Sequence, residues 1–339
     1  MKKSVGFAMM AILFLAASFL TLSWGIVPAT PGEAALAVWQ MVTDSGETGS
    51  AVTDVVKYIR LPHFILAFLA GSGLALCGTV MQSVMKNPLA DPYLLGISAG
   101  AALGAVFAIA AGVGIIEGIN GTGLFAFVGA VLVSILILIF SSFVAGNQAL
   151  ILLLIGFAVN ALCTATLSFI VAYLSDVNKT KSIQFWLMGN IQTEEWGSIG
   201  VLAIVILAGL AFFMSQCRIL DLMLVGDELS LSMGRNLAHY RKLYILIIAV
   251  IMGTIVYMTG IIGFVGLIIP HMIRLIVGSG HKKLVFFAFL AGGCFLSWSD
   301  VLGRNCIPGV SIPIGIAAAV CGAPVFVWML LRHKYGGGS

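Results

Sequence analysis

Apolar runs long enough to cross a membrane follow one another along the whole chain, separated by short polar patches. A helix needs about 20 predominantly apolar residues to span a ~30 Å hydrocarbon core. Runs of that kind occur at 5–27, 64–85, 94–111, 124–144, 149–173, 199–214, 243–258, 261–277, 284–298 and 312–331. The pattern predicts an all-α polytopic membrane protein with about ten transmembrane helices. Residues 1–335 read as one transmembrane domain with no room for a separate soluble one. The closing Gly-Gly-Gly-Ser at 336–339 reads as a flexible tail or a cloning scar.

Charge gives this array a direction. With the N-terminus inside, twelve of the 17 basic residues fall in cytoplasmic segments, from Lys2 and Lys3 to Arg332 and Lys334. Lys57, Arg60, Lys179, Lys181 and Arg304 fall outside. That bias follows the positive-inside rule and predicts N-in and C-in. Two outer segments, 28–59 and 175–196, are polar and amphipathic enough to hold short surface helices.

Composition narrows the class. The chain has 339 residues, 60% of them hydrophobic and 9% charged. A soluble domain carries roughly a quarter charged residues, so a soluble enzyme, a nucleic-acid binder and a disordered chain are excluded. Forty glycines suit close helix approach in a bilayer. The six cysteines form no CxxC pair and read as packing residues.

Catalytic chemistry is missing. There is no G-x-x-x-x-G-K-[ST] loop to cradle ATP phosphates, no HExxH and no GxSxG. The five histidines are scattered without ligand spacing. The predicted assignments are therefore no catalytic residue, no metal site and no cofactor in this chain. Acids are scarce in the middle of the spans, where a charge costs about 2.5–3.5 kcal/mol and is kept for a purpose. Energy for any transport then has to come from another subunit.

The inner segment 217–242, CRILDLMLVGDELSLSMGRNLAHYRK, has a different texture. Apolar and polar residues alternate at helical spacing, Gly234 can close one short helix and Asn236 can open the next. On residues alone this is either a docking element or an amphipathic linker. A second inner segment, 87–92, carries an Asn and two prolines, which mark a tight non-helical turn.

Five stretches resemble one family. They are RLPHFILAFLAGSGLALCGTVMQSVMKNPLADPYLLGISAGA (60–101), FWLMGNI (185–191), GDELSLSMG (226–234), GIIGFVGLIIPHMIR (260–274) and PIGIAAAVCGAPVFVWML (313–330). They are similar to the permeases of binding-protein-dependent ABC importers for iron–siderophore complexes, haem and cobalamin. The resemblance implies a non-enzymatic subunit in the bacterial inner membrane, working as a homodimer. Its implied partners are a cytoplasmic ABC ATPase dimer, which holds ATP and Mg, and a periplasmic or surface-tethered substrate-binding protein, but no nucleic acid. It implies ATPase coupling by Asp227, Glu228, Leu229, Ser232, Met233, Gly234 and Arg235. It implies binding-protein docking by Arg60, His63 and Arg304, and a cytoplasmic gate at Asn87 and Leu89. His63 and Ser311 depart from the family pattern, where Arg and often Glu stand. Pro270-His271 also matches the family; Pro270 reads as a kink and His271 as a packing histidine, with haem ligation as the alternative. Iron–siderophore is the first expected cargo, then haem or cobalamin, then an oxyanion such as molybdate. The alternatives are a secondary carrier with inverted repeats, which calls for midplane charges, and a membrane scaffold.

Overall fold

The computed structural model describes residues 12, 15, 21–25, 29–43, 50–116, 119–144, 146–191, 196–307 and 309–335. After the surface helix α1 (Pro31–Thr43), the axis of the molecule is α2, Ala51–Val84. It is apolar on every face, as a helix surrounded by others must be, and 83% of its most apolar stretch is buried. Pro62 lies within it, lacks an N–H and would crowd the carbonyl four residues back. The turn at Val56–Arg60 is widened to a π-helix, and Leu61 donates its N–H to the Val56 carbonyl. The helix thereby passes the proline unbroken.

Around α2 the chain winds through α3 (Ile97–Ala111), a two-strand hairpin of β1 (Ile115–Ile116) and β2 (Ile119–Asn120), α4 (Gly121–Ser142) and α5 (Gln148–Tyr173). It continues with α6 (Val177–Leu187), α7 (Trp196–Ser215), α8 (Cys217–Val225), α9 (Asp227–Ser232) and α10 (Leu237–Thr259). The last helices are α11 (Val265–Val277), α12 (His281–Asn305) and α13 (Ile314–Tyr335). Short polar side chains start several of them. Asn120, Asn147, Asp176 and Asn236 each accept a backbone N–H of the first turn they precede.

Glycine sets the tightest crossings. A Cβ on Gly71 of α2 would collide with the Gly292 carbonyl of α12, and one on Gly100 of α3 with the Gly129 carbonyl of α4. Backbones this close gain dispersion contact that larger residues would prevent. The outward faces of α5 and α7 carry Leu154, Phe157, Phe169, Ile204 and Leu207, all exposed. In a bilayer such a surface meets lipid or another apolar partner.

Among the described residues, six helices are long and apolar enough to cross a membrane, and three shorter ones are apolar: Ile97–Ala111, Val265–Val277 and Ile314–Met329. Most of the predicted span 5–27 lies outside the described residues. Two predicted boundaries need correction. The span expected at 64–85 begins 13 residues earlier, at Ala51, inside the segment read as an outer connection. The span expected at 261–277 is helical only from Val265. Gly260 (φ 65°, ψ −159°) and Phe264 (φ 70°) take backbone that a helix cannot use. Unwound backbone at membrane depth is tolerated where protein buries it or it lines a cavity. Ile262 is fully buried and donates its N–H to the Tyr93 hydroxyl. The helices expected in the outer segments 28–59 and 175–196 are α1 and α6.

Candidate functional site

The end of the molecule that the charge pattern assigns to the inside is built around α9. Gly226 (φ 128°) and Gly234 (φ 76°) bracket this six-residue helix, and Ser230 is its single buried residue. The Ser230 hydroxyl donates to the Gly226 carbonyl at 2.6 Å and locks the first turn. Leu229, Leu231 and Met233 are 54%, 63% and 54% exposed. Glu228, Ser232, Gly234 and Arg235 are exposed beside them. Leu229 and Leu231 on this short helix, with Met233 at its C-cap, thus bare three large apolar side chains side by side.

Asp227 faces the other way. Its carboxylate receives both terminal nitrogens of Arg241, at 3.0 and 2.5 Å, and the Lys86 ammonium at 3.3 Å. Arg241 is 2% exposed, and its Nε donates to the Val84 carbonyl, the last of α2. Burial pushes the Asp227 carboxyl up, but hydrogen bonds and charge from Arg241 and then Lys86 outweigh it and hold the group below the usual carboxylate range. Of the residues read as coupling elements, Asp227 is thus an anchor and its neighbours are the exposed face. Arg241 and Lys86 escape a reading of local patterns because they lie far from Asp227 in sequence.

Asn87 and Leu89 sit beside this anchor. Lys86 adopts φ 51°, turning the chain sharply, and the Asn87 side chain accepts the Leu89 N–H at 2.9 Å. Both residues are exposed. The turn closes at Asp91, whose buried carboxylate accepts the Tyr93 N–H.

Arg60, His63 and Arg304 lie near one another at the opposite end, close enough for the Arg304 charge to act on the other two. The sequence predicts an exposed rim cation at Arg60, and the structure corrects this. It is 6% exposed and donates to the Leu22 and Ser23 carbonyls at 3.0 and 3.3 Å. Gly25 leaves the space its guanidinium fills. His63 is also buried, at 8% exposure. Arg304 keeps a 27% exposed side chain and pairs with Asp300, one turn back, at 2.5 Å. Although position 311 holds Ser where the family often carries Glu, Arg304 has a carboxylate partner in Asp300. Also at this end is a cavity of about 690 Å³, between the adjoining ends of α3, α4, α6 and α10. Asn178, Lys181, Asn190 and Tyr257 line it together with the unwound Gly260. Pro270 lies inside α11, and the His271 ring meets Phe326 edge-on at 6.5 Å.

Comparison with known proteins identifies a family. Residues 12–332 match the FecCD transport family. The chain is 35% identical over 289 residues to the hemin transport system permease protein HmuU of Yersinia pestis, covering 85% of this chain and 86% of that one. It is also 35% identical over 276 residues to the vitamin B12 import system permease protein BtuC of Klebsiella pneumoniae subsp. pneumoniae, covering 81% and 82%. Among solved structures it is similar to one described as an inward-facing conformation of a metal-chelate type ABC transporter. That likeness has a TM-score of 0.84 and 27% identity, and covers 97% of this chain and 99% of that one.

Proposed function

The chain belongs to the FecCD transport family, a family of ABC-importer permeases, and on that premise we propose that it carries a metal chelate across the bacterial inner membrane. Iron–siderophore is the first proposed cargo, with haem or cobalamin next. The permease works as a homodimer of ten-span subunits with both termini inside. ATP is bound and hydrolysed on a separate ATPase pair, and this chain contributes no bond-making group. The observation that carries the reading is the family match over almost the whole chain, joined to an inner-face helix that bares Leu229, Leu231 and the following Met233.

In this mechanism a binding protein releases its cargo at the outer end. Arg304 is the outer cation that steers it, by charge-assisted pairing that fades with salt. Arg60 holds the backbone of Leu22 and Ser23 nearby, and His63 is buried close to it. At the inner end the ATPase seats Leu229, Leu231 and Met233, and its closure moves α9 as a rigid piece. The turn carrying Asn87 and Leu89 gates the exit, and the pathway alternates between outward and inward exposure.

Co-expression with the cognate ATPase tests the reading. The native chain should co-purify with it, and Leu229→Glu with Met233→Glu should abolish co-purification while membrane insertion persists. Gly234→Asn should be milder than Gly234→Val, because Asn tolerates positive φ and a β-branched residue does not. A doubly charged variant that still binds the ATPase normally would refute the docking face.

A further inference from the structure

The two short inner-face helices are both wired to the same turn of α2. Asp221 of α8 accepts the backbone N–H of His281 at 3.0 Å and meets its ring Nδ1 at 2.6 Å. The opposite ring nitrogen, Nε2, lies 2.5 Å from the Ser83 hydroxyl. Asp227 of α9 is held by Arg241, whose Nε reaches the Val84 carbonyl at 3.3 Å. Each carboxylate therefore grips a base from a long helix, and each base grips an adjacent residue, 83 or 84, of α2. Both bases are buried, His281 fully and Arg241 to 2% exposure. Neither can relax toward water when its carboxylate moves.

The intervening contacts are stiff. A bidentate guanidinium–carboxylate pair fixes orientation as well as distance. The Ser83 hydroxyl also faces the Thr79 carbonyl at 3.2 Å, so it can either donate to a neutral imidazole or accept from a charged one. The link therefore holds in both protonation states of His281. By contrast, α9 has one buried residue and a positive-φ glycine at each end. Its own packing would let it swing without moving the bundle. Just beyond the shared turn come Lys86, which closes back on Asp227, and then Asn87 and Leu89.

We propose that Asp221–His281–Ser83 and Asp227–Arg241–Val84 are paired transmission links that carry the displacement of α8 and α9 into the last turn of α2 and the turn beyond it. The proposal rests on the reading of α9 as the ATPase-docking helix. His281, Arg241 and Asp221 are positioning residues: they touch neither cargo nor nucleotide, and act by making two small helices and the end of α2 move as one.

The test uses the complete permease–ATPase complex in proteoliposomes, with the native cysteines replaced and Leu89→Cys as reporter. Its reaction rate with a maleimide is compared without nucleotide and after trapping with ATP and vanadate. With both links intact the rate should change on trapping. In Asp221→Asn with Arg241→Lys, the exposed α9 face is unaltered and the ATPase should still co-purify. The nucleotide-driven change should shrink by about fivefold or more, the lower end of typical coupling. Ser83→Ala, which cuts one link without touching a charge, should give a smaller loss and serves if the double variant fails to assemble. An undiminished response in an assembled variant, or no response with both links intact, overturns the proposal. Failure of the native chain to co-purify with the ATPase would instead overturn the docking reading beneath it.

Discussion

At the scale of single residues, two inner-face carboxylates answer pH in opposite senses. Burial pushes Asp91 up to about 6, only partly offset by the Tyr93 N–H it accepts. Its folded pKa lies above the unfolded value of 3.8, so the folded chain holds a proton there that the unfolded chain has lost. Stability contributed at this position therefore falls as pH rises from about 4 through 6. Asp91→Asn keeps an oxygen for the Tyr93 N–H and removes the charge. It should raise the thermal midpoint of the detergent-solubilised chain at pH 7.5, the underlying stabilisation being roughly 2–3 kcal/mol at most. The gain should fade as the pH is lowered through 6 toward 4, and an equal gain at both ends would contradict the assignment. Asp227 runs the other way. Its pKa is lowered, so its tether is fully present above 3.8 and is lost only as pH falls below that value.

Among the elements, the contact of α2 with α12 depends on bare backbone. Gly71→Leu would drive a side chain into the Gly292 carbonyl and Leu296. Overpacking of this kind typically costs about 1–3 kcal/mol, and more where backbone must move. The variant should lose its monodisperse peak in detergent chromatography or unfold at markedly lower temperature. Gly197→Leu in α7 makes a matched control, since nothing lies within 4 Å of a Cβ there. Its stability should stay close to that of the native chain. Equal damage from both would mean that lipid-facing α7, not the α2–α12 crossing, limits stability.

For the whole molecule, topology is the property to test. Cys306 caps the C-terminal end of α12, which the charge pattern places outside, and is exposed, whereas Cys77, Cys163, Cys217 and Cys294 are buried. In intact cells an impermeant maleimide should label Cys306 of the otherwise native chain. In a cysteine-replaced background it should label a cysteine placed at Ser50 and spare one at Ser232 until the membrane is opened. The reverse pattern would turn the chain over. Much of this architecture was legible in one dimension. Hydrophobic runs longer than a bilayer is thick admit few structures, so the all-helical membrane class followed from composition and run length. The cap at Asn236 and the bend at Gly234 are likewise local, because a side chain two residues away, or a missing Cβ, suffices to make them. What only the tertiary structure decided depends on residues far apart in the chain. Arg60 reads as an outer cation until the carbonyls of Leu22 and Ser23 fold over it. The outer end of the run at 261–277 reads as helix until Tyr93 receives its N–H and the surrounding helices cover it. The pairing of Asp221 with His281 and of Asp227 with Arg241 has no periodic signature. A charge in a low-dielectric interior takes whichever partner the packing of the helices brings within reach, and that packing is not written at any one position.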